Sequence, residues 1–95
     1  MAAYVIVDIH ITDPVTYEEY KKQAFPTVQA FGGRYIARGG AVETLEGDWV
    51  PGRTVILEFP TVQLAKEWWG SDLYAPIRAV RQRSARTRMV VVEGA

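Results

Sequence analysis

Eight residues near the N-terminus, Tyr4-Val5-Ile6-Val7-Asp8-Ile9-His10-Ile11, alternate strictly in character. An extended chain turns successive side chains to opposite sides, so this segment reads as a strand with two unlike faces. Val5, Val7, Ile9 and Ile11 make an apolar face that needs a core. Tyr4, Ile6, Asp8 and His10 make a mixed face that holds a carboxylate and the only histidine of the chain. A face half apolar and half ionisable suits a ligand cavity or a wet subunit interface better than a dry core or open solvent.

The size of the chain limits what can surround that strand. Ninety-five residues make one domain, spanning 1–95, with room for a single core. Hydrophobic residues make up 48%, enough for a packed globule rather than a disordered chain. The 11 basic and 11 acidic residues cancel, which argues against a general nucleic-acid binder. With no cysteine, disulfides, thiolate metal sites and cysteine nucleophiles are excluded. No basic region precedes an apolar run, so neither a signal peptide nor a membrane span is expected, and a cytoplasmic protein is the simplest expectation.

Local signals divide the rest of the chain. Asp13-Pro14 is a helix start, because a carboxylate can cap free amides and proline fits the first helical position. Tyr17, Tyr20, Ala24, Val28 and Phe31 recur at helical spacing, Pro26 predicts an interruption near Phe25, and Gly32-Gly33 ends the helix. A second strand runs from Arg34 to Arg38, with Gly39-Gly40 as the expected bulge and Val42 to Glu46 as a possible resumption. A third strand covers Arg53 to Phe59, with Val55, Leu57 and Phe59 on one face. Thr61 caps a second helix that buries Leu64, Ala65 and Trp68. A further helical segment turns Leu73, Ile77 and Val80 inward and Arg78, Arg81 and Arg83 outward. The last strand is Arg88 to Glu93.

That order, strand–helix–strand–strand–helix–strand, predicts an α+β, ferredoxin-like subunit with a four-stranded antiparallel sheet and its helices on one face. The open face would carry Tyr4, Ile6 and Ile56 beside Asp8, His10, Arg38 and Glu58. It is too apolar for water and too polar for a dry core. Pairing two sheets face to face satisfies both demands, so a homodimer closed through its sheets, a dimeric α/β barrel with a small lined cavity, is expected.

Within that cavity the chemistry would fall to four residues. Asp8 and His10 share a face two positions apart, with Cβ atoms roughly 6.5–7 Å apart. Glu58 on the neighbouring central strand and Arg38 on the second strand can project into the same space. A carboxylate–imidazole–carboxylate group with a guanidinium can move protons and stabilise an anion, making Glu58 or His10 the base, Arg38 the anion holder and Asp8 the orienting group. The same groups can equally do no more than pair with one another. Trp69, Tyr74 and Arg78 join Arg38 and Glu58 as candidate ligand contacts, with simple packing as their alternative. No ligand spacing for a metal is present, and no cofactor is expected.

The pattern resembles, over nearly the full length, the domain-of-unknown-function family 1330 (DUF1330) of the dimeric α/β-barrel superfamily. The resemblance is carried by Ala3-Tyr4-Val5-Ile6, Thr12-Asp13-Pro14, Tyr17 and Tyr20, and Tyr35-Ile36-Ala37-Arg38-Gly39-Gly40. It continues through Leu45-Glu46-Gly47-Asp48-Trp49, Val55-Ile56-Leu57-Glu58-Phe59-Pro60, Ala65 with Trp68, Ser71 with Tyr74, Arg78 with Arg81, and Val92-Glu93-Gly94. It implies a ferredoxin-like subunit that dimerises through its sheet, and it implies no reaction. Three functions stay open. One is binding of a small anionic or polar organic ligand. Another is cofactor-independent proton transfer or oxygenation. The third is a structural dimer without ligand. No nucleic acid and no membrane enter any of them.

Overall fold

A computed structural model describes residues 1–95. The element order is β1 (Ala3–Ile11), α1 (Pro14–Ala30), β2 (Arg34–Arg38), β3 (Arg53–Phe59), α2 (Val62–Trp69), α3 (Ala75–Ser84) and β4 (Ala85–Glu93). The strands form one antiparallel sheet in the order β2-β3-β1-β4. The fold is therefore the expected ferredoxin-like α+β arrangement, with the second helical region divided into α2 and α3. Its extents, 36 × 34 × 17 Å, are those of one sheet with one helical layer.

The alternation of β1 decides which face meets the helices. Val5, Val7 and Ile9 pair with Leu57, Val55 and Arg53 of β3 and with Val91, Met89 and Thr87 of β4. Val5, Val7, Ile9, Val55 and Leu57 join Phe59, Tyr17, Val28, Trp68 and Tyr74 in the core, with Met89 packed against it. The Trp68 ring lies between Tyr74 at 4.2 Å and Phe59 at 5.4 Å, centroid to centroid. Its indole N–H donates to the Thr27 hydroxyl at 3.1 Å, so this large ring is buried with its polar atom satisfied.

Helix boundaries follow their caps. Asp13 accepts from the Thr16 amide at 3.2 Å and the Thr16 hydroxyl at 2.7 Å, and Pro14 opens α1. At the other end Gly32 adopts φ 79°, the Gly33 amide reaches the Val28 carbonyl at 2.9 Å, and the Gly32 amide reaches Gln29 at 3.0 Å. Those two bonds form a Schellman closure, which the left-handed glycine allows. Thr61 caps α2 through the Leu64 amide at 3.1 Å.

The structure corrects several sequence expectations. Helix α1 runs unbroken through Pro26. Pro26 is exposed, so the Lys22 carbonyl it leaves free faces solvent, while buried Ala24, Thr27 and Val28 hold the helix from the core side. Residues Val42 to Glu46 form no strand. The bulge lies at Ile36 rather than at Gly39-Gly40, because Tyr35 pairs with Leu57 and Ala37 with Ile56. Leu73 is exposed, and Arg81, expected to point outward, is 5% exposed. Strand β4 begins at Ala85, directly after α3.

Candidate functional site

The open-face residues at the Asp8 end form a structural pin. Asp8 lies opposite Arg88 of β4 and accepts from its guanidinium at 2.9 Å. Its other oxygen accepts from the Gly52 amide at 2.8 Å, and His10 Nε2 stands 3.5 Å away. Burial works against ionised Asp8, yet the Gly52 amide, Arg88 and His10 together hold its carboxyl below the usual carboxylate range. The backbone at Gly52 passes so close that an added Cβ would stand 2.4 Å from the Ile9 carbonyl oxygen. Asp8 and His10 thus approach each other directly, with no room for a ligand between them, and Asp8 is engaged in holding the start of β3.

Glu58 and Arg38 do not join them. The antiparallel register places Glu58 opposite Tyr4, while Asp8 faces Thr54. Four residues along β3 separate Glu58 from that position, about 13 Å of strand. Glu58 instead pairs with Arg34 of β2 at 2.7 Å. Arg38 stands on the other side of the sheet altogether. The extra residue at Ile36 reverses the facing of everything after it, so Arg38 pairs with Val55 on the helix face.

There Arg38 meets a different set of groups. A cleft between the sheet and α1 is walled by Tyr17, Tyr20, Tyr35, Arg38 and Arg53 over a floor of Val7, Ile9, Val55 and Leu57. Its free volume is about 20 Å³, room for one water. Arg38 donates to the Lys21 carbonyl at 3.1 Å and lies 4.5 Å over the Tyr35 ring. Arg53 crosses above Gly39, and its buried Nε has no hydrogen-bond partner in the protein. No carboxylate lines the cleft, and neither arginine forms a salt bridge.

The phenols complete this electropositive slot. Burial raises the pKa of Tyr17, Tyr20 and Tyr35, against the pull of Arg53 and Arg81 on Tyr17, Arg81 on Tyr20, and Arg38 and Arg53 on Tyr35. All three are therefore neutral phenols near neutral pH. Tyr74 is fully buried behind Tyr20, with the two hydroxyls 2.7 Å apart. The Arg81 guanidinium carbon lies 6.0 Å from the centre of the Tyr20 ring. Trp69 and Arg78, both candidate ligand contacts, instead stack on each other at 4.5 Å away from this cleft. Trp69 lines a separate open groove with Lys66 and Arg81.

Of the sequence candidates, only Arg38 lines the cleft directly, and Tyr74 backs it. Arg53 was missed, although its signal was present: at period two it shares the face of Val55, Leu57 and Phe59. Arg81 follows Ile77 by four residues, which puts it on the same inward stripe.

A family model described as "Domain of unknown function (DUF1330)" matches residues 2–95. No curated protein matches the sequence. Among solved structures, RPA0582, a protein of unknown function from Rhodopseudomonas palustris, superposes with a TM-score of 0.79 at 18% identity, covering 99% of this chain and 82% of that one. SnoaB, a cofactor-independent oxygenase from Streptomyces nogalater, matches at 0.60 and 7% identity over 99% and 93%. An uncharacterized NIPSNAP domain protein from Burkholderia xenovorans matches at 0.56 and 10% identity over 100% and 95%. These likenesses show a shared ferredoxin-like α+β fold.

Proposed function

The chain belongs to the DUF1330 family, and from that premise we propose that it binds a small organic anion in the cleft between Arg38, Arg53 and the three tyrosines. The observation that carries this reading is the pair of guanidiniums facing a slot with no carboxylate, one with a buried Nε lacking a partner. The buried Arg53 Nε needs a compensating acceptor, and a carboxylate or enolate offers the matching geometry. The phenols add neutral donors, and the aliphatic floor suits the carbon body of the ligand. Arg38 is exposed and rests on Tyr35, so it is the side chain that swings aside to admit anything larger than water.

The assembly proposed with this site is a homodimer paired through the open sheet face. Ile36, Val90 and Val92 are exposed there, beside the half-buried Tyr4, Ile6 and Ile56. A contiguous apolar face of this kind marks an interaction surface.

Cofactor-independent catalysis is the second reading, favoured by the fold shared with SnoaB. Here Arg38 and Arg53 would hold an anionic intermediate. Glu58 and His10 stand on the opposite sheet face, so the first proton acceptor would come from the substrate or solvent.

A thermal-shift panel of aromatic and aliphatic carboxylates at neutral pH tests the binding reading. At least one anion should raise Tm of the wild type, with that rise reduced by half or more in Arg38→Ala and abolished in Arg53→Met. A panel that stabilises none of the proteins contradicts it and favours a ligand-free structural dimer; one that stabilises all three equally contradicts it by placing the anion outside this cleft.

A further inference from the structure

Residues 39–52 connect β2 to β3 without helix or strand. A structureless connection of this length is uncommon in a small domain and usually has work to do. It is nevertheless held at both ends. The Gly39 amide donates to the Thr54 carbonyl at 2.8 Å, and the Gly52 amide donates to buried Asp8 at 2.8 Å. Within it, Gly47 turns with φ 86°, and the Thr44 hydroxyl donates to the Trp49 carbonyl at 2.8 Å. Yet its apolar side chains have no cover: Leu45 is 98% exposed, Val50 77% and Trp49 57%. Hydrophobic groups on a segment tied at its base imply a surface that receives them.

We propose that this arm docks on a second copy of the chain, across the β1–β4 corner of the partner's open sheet face. The inference rests on the sheet-face dimer proposed above and specifies its clamp. Charge identifies the receiving corner. The arm carries Glu43, Glu46 and Asp48 and no basic residue. At the same end of the sheet, His10, Arg86 and Arg88 surround a surface hollow of about 370 Å³. His10 and Arg86 are cross-strand neighbours on the open face, and neither Arg86 nor any arm carboxylate has a salt-bridge partner within its own subunit. Symmetry supplies the match. A two-fold axis parallel to the strands keeps the ends of the two sheets together and exchanges their edges, so each arm faces the other subunit's basic corner. The open face, bounded by 36 × 34 Å, is large enough for the roughly 800 Å² per partner that stable dimers bury.

The absence of native cysteine gives a direct test. Chains carrying Asp48→Cys are mixed with chains carrying Arg86→Cys, and Glu46→Cys with His10→Cys, then oxidised, while light scattering reports the mass of the wild type. A mixed disulfide heterodimer from either pair is the expected result, with a yield that falls as salt is raised. Dimeric wild type without any mixed disulfide would overturn the arm docking and leave the sheet-face dimer standing. Monomeric wild type at tens of micromolar would overturn both.

Discussion

Asp8 shows how one side chain can be fully accounted for by its neighbours. It holds a β4 arginine and the amide that starts β3, in surroundings that exclude most water. Replacing it with alanine leaves the Gly52 amide unpaired, and the expected cost is about 1–3 kcal/mol in chemical denaturation. The pH dependence has a definite sign. Because the folded carboxyl titrates below its unfolded value, its contribution is present above about pH 4 and is lost as pH falls through the lower folded value. Stability of the wild type should therefore decline on acidification below about pH 4, and Asp8→Asn should decline less steeply. Equal slopes in denaturation series at pH 3 and pH 6 would contradict this account of the pin.

At the scale of elements, most of the fold was legible and most of the site was not. Caps at Asp13 and Thr61, the glycine stop after α1 and the alternation of β1 and β3 are local signals that tertiary structure had no reason to override. The second half of β2 was different. A single extra residue at Ile36 reversed Arg38, and nothing in Arg34–Arg38 distinguishes a regular five-residue strand from a bulged one. Glu58 lies on the open face as its alternation indicates, but its distance from Asp8 depends on a register that β3 alone does not reveal. Arg53 and Arg81 stand on inward stripes, but a charged side chain facing a core is the exception, so stripe position alone does not single them out. The turn after α1 offers a clean check. An added Cβ at Gly33 would lie 2.6 Å from a Phe59 ring carbon and 2.8 Å from a Val28 methyl, both in the packed core. Gly33→Ala should cost about 1–3 kcal/mol through overpacking. An unchanged unfolding midpoint would mean that this junction yields more readily than its contacts indicate.

Over the whole molecule, the two faces of the sheet carry different tasks. The helix face holds the core and, at its β2–β3 side, the arginine–tyrosine cleft. The open face presents apolar strands, a basic corner and an acidic arm, the features of a self-complementary surface. No helix is long and apolar enough to cross a membrane. The central claim is that the cleft receives an anion at Arg53. Its most direct test is the ¹⁵N NMR signal of the Arg53 Nε–H group, assigned by comparison with Arg53→Lys and followed as the most stabilising carboxylate is titrated. The account predicts a downfield, saturable shift with the same Kd as that carboxylate's calorimetric titration. Saturable binding that leaves the Arg53 signal unmoved would contradict it.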